Sequence, residues 1–297
     1  MTPLAVVALC AMGADPQPFS YPDAAPLTPP YVAEKRYPFF LRPVAERMKA
    51  KVAELAFPGA GKPAPPGSYL WRPRFEEDME LIGPTRPYAP QPGDIVMSAD
   101  GSVFWKLMHN LAGTSHPTHS MIVFRMPNGQ MGILEGGPHD TLKCRVMEAL
   151  PHMFSYEGEG RVWVRRRACP LTPEQSARLT EFCVAANGKE FSIRRLAVQL
   201  TPFRARGPVR TAFMGKPNGL DRTAYYCSEL VCEACVYAGV MDAQTTRPSA
   251  TYPRDLFMDH SPNPWLNAHL KLAPAWDPPA RWTSCAPAGE RPVPAGR

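Results

Sequence analysis

Short apolar runs closed by turn residues, and apolar positions recurring every three or four residues, divide the middle of the chain into strands and helices. Pro92-Gly93-Asp94 forms a turn that leads into a strand at Ile95-Val96-Met97, and His119 to Arg125 (HSMIVFR) predicts a second strand. Pro127-Asn128-Gly129 then supplies a hairpin turn, and Met131 to Glu135 (MGILE) the returning strand, closed by Gly136-Gly137-Pro138. Arg161 to Arg166 reads as a further strand, and residues 102–112 as a helix or loop. Helical spacing predicts three helices. The first is Pro43 to Ala56, with Val44, Met48, Val52 and Leu55 on one face. The second is capped by Thr172, has Pro173 in its first turn, and carries Leu179, Phe182 and Cys183 to a stop at Asn187-Gly188. The third starts near Cys227 and stops at Gly239. Strand hairpins interleaved with helices predict an α+β fold with an antiparallel sheet packed against helices.

Proline sharpens this division. The chain holds 37 prolines in 297 residues, 18 of them in residues 1–92 and 10 in residues 248–297. Proline lacks an N–H and fixes φ, so it opposes helix interiors and sheet ladders alike. The expected organisation is a compact domain over residues 92–260. Before it come a proline-rich arm (1–30) and an extension with one amphipathic helix (31–91); a proline-rich tail (261–297) follows. Residues 58–92 show no periodic element.

Charge changes the picture little. A net charge of +6 with a pI near 8.9 is mildly basic. No helix-turn-helix, zinc-finger or RNA-binding signature accompanies it, so nucleic acid is not an expected partner. The run Arg165-Arg166-Arg167 reads as a solvated strand end, with a phosphate or anionic-lipid site as the lesser reading. Residues 192–222 are basic and broken by Pro and Gly, the pattern of a surface excursion or lid. Pro3 to Gly13 is apolar and too short to span a bilayer, which takes ~20 residues. It suits the core of an export signal directing the chain to the periplasm or envelope, although no basic leader precedes it; an apolar stretch without a targeting role is the other reading.

The eight cysteines, at 10, 144, 169, 183, 227, 232, 235 and 285, show no repeating spacing and read mainly as small buried hydrophobes. Cys227, Cys232 and Cys235 lack a fourth ligand at zinc-finger spacing, so no metal or other cofactor is expected.

Cys227 differs from the others by its place. It stands where Ala224-Tyr225-Tyr226 meets the first turn of a helix, where unpaired N–H groups and the helix dipole favour a thiolate and can hold an oxyanion. His119, at a strand start, is a rigidly placed base, and Glu135, at the end of the adjacent strand, can orient it. His116 and His139 are rival bases near the same strands. Asp94 is read as structural, holding the first strand in place.

Four segments in this order resemble one family: Pro92-Gly93-Asp94-Ile95-Val96, Thr118-His119-Ser120-Met121-Ile122-Val123, Leu134-Glu135-Gly136, and Tyr225-Tyr226-Cys227-Ser228-Glu229-Leu230-Val231. It is the YiiX/YebB-like group of circularly permuted, NlpC-like cysteine hydrolases with a papain-type fold. The resemblance covers about residues 90–260, with methionine at 121 where glycine is common. It implies a permuted papain-like fold with Cys227 as nucleophile, His119 as base and Glu135 as orienting acid; His119 preceding Cys227 matches the permuted order. It also implies an amide or ester substrate, either a cell-wall peptide or an acyl amide or lipid. The rival expectation is a lipid- or acyl-binding module on the same fold with an idle triad, for which the basic 192–222 segment with Phe203 and Phe213 would suit an anionic lipid.

Overall fold

The computed structural model describes residues 67–73, 86–100, 107, 109–110, 114, 116–137, 142–158, 160–199, 201, 203, 205–207, 209–258, 270 and 272–284. The expected helix at 43–56, the arm at 1–30, Cys10, His139 and Cys285 lie outside them.

The fold is α+β, built on one eight-stranded antiparallel sheet. Its strands in chain order are β1 (Tyr69–Pro73), β2 (Arg86–Pro87), β3 (Ile95–Asp100), β4 (His119–Arg125), β5 (Met131–Gly136), β6 (Cys144–Glu148), β7 (Gly160–Arg165) and β10 (Ala280–Thr283). Across the sheet they lie in the order β2-β1-β10-β7-β3-β4-β5-β6. A separate parallel pair is made by β8 (Glu190–Phe191) and β9 (Ala224–Tyr225). The helices are α1 (Ala149–Glu157), α2 (Pro173–Ala186), α3 (Ile193–Val198), α4 (Arg210–Phe213), α5 (Cys227–Tyr237) and α6 (Pro253–Phe257).

Strand alternation gives the sheet two apolar faces. Ile95, Met97, Ile122, Phe124, Leu134 and Trp163 pack with buried residues of α2, α5 and α6. Val96, Met121, Val123, Ile133, Val162 and Val164 face Ala149, Met153 and Tyr156 of α1. Helix α2 begins as its sequence predicts: the Thr172 side chain accepts from Gln175 N, and Gln175 returns the bond to Thr172 N. The β4–β5 hairpin turns at Gly129, whose φ of 85° suits a residue without Cβ. Asp94 plays the structural part expected of it. Its buried carboxylate accepts from Tyr88 Oη (2.8 Å), Gln91 N (3.1 Å) and Arg167 N (2.7 Å), tying the start of β3 to the chain beyond β7. Burial outweighs these bonds and pushes its pKa up to about 6.

Three features depart from expectation. Strands β1, β2 and β10 lie outside residues 92–260 yet complete the sheet, with β10 inserted between β1 and β7 and Leu70 and Trp282 in the core. Residues 58–92 therefore do contribute regular structure, through ladders with distant partners that local periodicity does not reveal. The arginine run is not a solvated strand end. Arg165 is fully buried with its Nε donating to Asp277 O, and Arg167 stacks over Trp276 at 4.3 Å. The chain leading into β10 covers them both. Finally, Cys169 is disulfide-bonded, whereas Cys144, Cys183, Cys227, Cys232 and Cys235 are free and buried.

Candidate active site

Cys227 is the first residue of α5. Tyr225, paired with Phe191 in the small sheet, brings the chain to this point, and the fully buried Glu229 closes the first turn by accepting from Tyr226 N (3.3 Å). Glu229 also accepts from Ser249 Oγ (2.5 Å) and pairs with Arg195 (2.8 Å) and Arg222 (3.3 Å). A second buried carboxylate on the same helix, Glu233, accepts from Arg222 Nε (2.7 Å) and from the N–H groups of Asn218 and Gly219. Removing these carboxylates from water without counter-charges would be strongly unfavourable, so Arg195 and Arg222 are drawn inward to them. Ser228 Oγ, donating to Thr251 O (2.7 Å), fixes the helix start from the other side. The start of α5 is thus held rigidly, with Cys227 only 7% exposed.

His119 opens β4 opposite Ser98 of β3. Glu135 lies opposite Met121, two residues along, so His119 and Glu135 are diagonal neighbours on one face of the sheet. A diagonal of ~7–8 Å between backbones is within reach of a long side chain. The reach is made: His119 Nε2 lies 3.0 Å from Glu135 Oε2. Cys227 stands beside the His119 ring, close enough for its thiol to favour the ring's charged form; with Nε2 engaged by Glu135, Nδ1 is the nitrogen left for the sulfur. Cys227, His119 and Glu135 are therefore brought together, although α5 covers the opposite face of the sheet from the one to which Met121 and Val123 point. They meet because His119 stands at the strand end. Of the rival bases, His116 is buried in the loop before β4, where its carbonyl accepts from Arg254 (2.6 Å).

Two residues of the site were not foreseen from the sequence. His152 Nε2 lies 3.1 Å from Glu135 Oε2. The Tyr156 hydroxyl donates to the same oxygen at 3.1 Å, and its ring stacks on His119 with centroids 5.8 Å apart. Both belong to α1, spaced i and i+4, so one helix face delivers them together. That spacing in Pro151-His152-Met153-Phe154-Ser155-Tyr156 is the signal the sequence carries for them.

The electrostatics follow from burial and pairing. Burial opposes charge on Glu135, but the neighbouring His152 and the bond to His119 outweigh it and hold the carboxyl well below the usual range. Burial likewise opposes charge on His119; the Cys227 thiol and the Glu135 carboxylate beside it prevail and raise its pKa to about 10. The arrangement favours an imidazolium between a buried carboxylate and a sulfur. Burial pushes the Cys144 and Cys235 thiols up to about 12, and those of Cys183 and Cys232 well above the ordinary value.

Tyr156→Phe removes one bond to a buried carboxylate and keeps the stacked ring. It is expected to cost about 1.5–3 kcal/mol of stability, the usual range for a bond to a charged group. Urea denaturation checks this; a loss below about 0.5 kcal/mol would mean that the hydroxyl does not support Glu135.

The class that fold and site define is an α+β protein with a Cys–His–Glu constellation where a helix start meets a strand end. Among known proteins, no family model and no curated sequence matches the chain. The solved structure of the metalloprotein yiiX from Escherichia coli O157:H7 is similar at 21% identity, covering 52% of this chain and 69% of its own, with a TM-score of 0.36. Among the described residues, no group of three or more His, Cys, Asp or Glu side chains is placed to hold a metal ion, and no helix is long and apolar enough to cross a membrane.

Proposed function

We propose that the chain is a cysteine hydrolase of permuted papain-like type, cleaving an amide or ester bond through a thioester. The observation that carries the reading is the His119 ring, with the Cys227 thiol beside it and its Nε2 3.0 Å from the buried Glu135 carboxylate. The Cys227 sulfur gives its proton to His119 and attacks the substrate carbonyl. The N–H groups at the start of α5 receive the developing oxyanion. The imidazolium protonates the leaving amine or alcohol, and the acyl group stays on sulfur. His119 then takes a proton from water, which attacks the thioester and frees the acid. Glu135 keeps the imidazole oriented and stabilises its charged form throughout. Cell-wall peptides and acyl amides or lipids are the two substrate classes in view, and an exported location is consistent with either.

Alkylation by iodoacetamide at neutral pH, mapped by peptide mass, tests the activated thiol. Cys227 is expected to be labelled before Cys144, Cys183, Cys232 and Cys235, whose thiols burial keeps protonated. Label on those four with Cys227 unmodified until the protein unfolds would overturn the proposal. It would favour the rival reading of an acyl-binding module with an idle triad.

A further inference from the structure

Residues 193–216 show an inverted pattern. Their inward contacts are polar: Arg195 binds Glu229, Gln199 Nε2 donates to Ser249 O (3.1 Å), and the buried Arg206 pairs with Asp255 (3.3 Å) and stacks over Tyr252 (4.1 Å). Large apolar side chains among them point outward instead. Among the described residues, ten large hydrophobics are exposed, and six of them fall here: Ile193, Val198, Phe203, Val209, Phe213 and Met214. Phe203, Phe213 and Val209 are 77%, 75% and 70% exposed. Single exposed apolar residues are ordinary, but a concentration of this kind marks a contact surface.

Charge identifies the occupant. Arg194, Arg210 and Lys216 are exposed in the same segment, and Asp221 is the one acidic residue between 193 and 222. In α4, Arg210 and Phe213 are three apart, so a cation and an aromatic ring share a helix face. Exposed aromatics with flanking cations suit a bilayer carrying negative headgroups: the rings enter the headgroup–acyl boundary while the cations stay among the phosphates.

We propose that residues 193–216 dock the protein onto anionic membranes. The segment is rooted beside the start of α5, through Ser192 N donating to Tyr225 O (2.9 Å) and through the Arg195–Glu229 pair. Docking therefore brings the bilayer close to Cys227 and selects the acyl-lipid or acyl-amide class of substrate. That selection rests on the hydrolase reading; docking itself does not.

The test is co-sedimentation of the full chain with vesicles of phosphatidylcholine alone or with about one-third phosphatidylglycerol. Wild type, Phe203→Ser/Phe213→Ser and Cys227→Ala are compared. Expected are binding to the anionic vesicles that weakens with salt, at least tenfold weaker binding by the double variant at an unchanged melting temperature, and wild-type binding by Cys227→Ala. No vesicle binding, equal binding to neutral vesicles, or unchanged binding by the double variant would overturn docking. So would self-association in sedimentation velocity that the double variant abolishes, because a second copy would then cover the surface. Vesicle binding by a wild type that hydrolyses a peptide reporter but no acyl reporter would overturn the acyl selection alone, and hydrolysis of neither would sink the hydrolase and leave docking standing.

Discussion

Replacing Cys227 by alanine is expected to lower kcat by roughly 10⁴-fold or more, on the scale seen when a nucleophile is removed from a unit of this kind. The assay is release of product from acyl-amide, acyl-ester and peptide reporters, with an acyl-enzyme adduct sought by intact mass in wild type and absent in the variant. Alanine sits well in the first turn of a helix and deletes only a sulfur. The first turn of α5 remains fixed by Glu229, Arg195, Arg222 and Ser228, so the melting temperature should move by no more than a few degrees. A variant that retains more than about a tenth of wild-type turnover would remove Cys227 from the chemistry.

Glu135→Gln is expected to act on both stability and rate. The carboxylate is fully buried and faces His119, His152 and Tyr156, so neutralising it strips the charge that these groups were arranged around. Breaking one partner of a buried pair costs about 3–5 kcal/mol, and losing the acid that orients a catalytic histidine costs up to roughly 10⁴ in kcat. The pH dependence has a definite sign. Glu135 ionises more readily in the folded state than its ordinary 4.5, so its contribution is present above that value and is lost as pH falls through the lower folded one. His119 is raised from 6.5 to about 10, so its contribution is complete below 6.5 and is lost as pH rises toward 10. Wild type should therefore hold this stabilisation in full between about pH 4.5 and 6.5, with slopes on both sides. Denaturation across pH should show the acid-side slope reduced in Glu135→Gln, and the basic-side slope shifted to lower pH as His119 loses its counter-charge. Parallel curves for the two proteins would contradict the pairing.

Local pattern made much of this site legible. The strand at His119, the Asn128-Gly129 turn and the strand ending at Glu135 lie within a short stretch, and a tight hairpin permits few registers once one face is buried. That is why a diagonal His–Glu pair could be anticipated. A cysteine preceded by an apolar strand-like segment and followed by helical spacing likewise announces a helix start. The α+β class follows from the same local signals.

The rest was settled by contacts between residues far apart in sequence. Strand β10 lies more than a hundred residues from its neighbour β7 and fills a gap in the sheet that no local periodicity announces. Arg195, Arg206 and Arg222 read as surface charge, because a sequence does not say which carboxylates will be buried; Glu229, Glu233 and Asp255, enclosed by packing, turn those arginines inward. His152 and Tyr156 reach Glu135 only because α1 crosses the face of β5. The sequence by itself determined the hairpin, the helix start and the chemical types of the three central residues, since backbone preference and side-chain alternation act over a few residues. Tertiary packing alone decided the neighbours of Glu135, the closure of the sheet and the outward turn of Phe203 and Phe213, because burial and charge pairing depend on elements that meet only once the chain is folded.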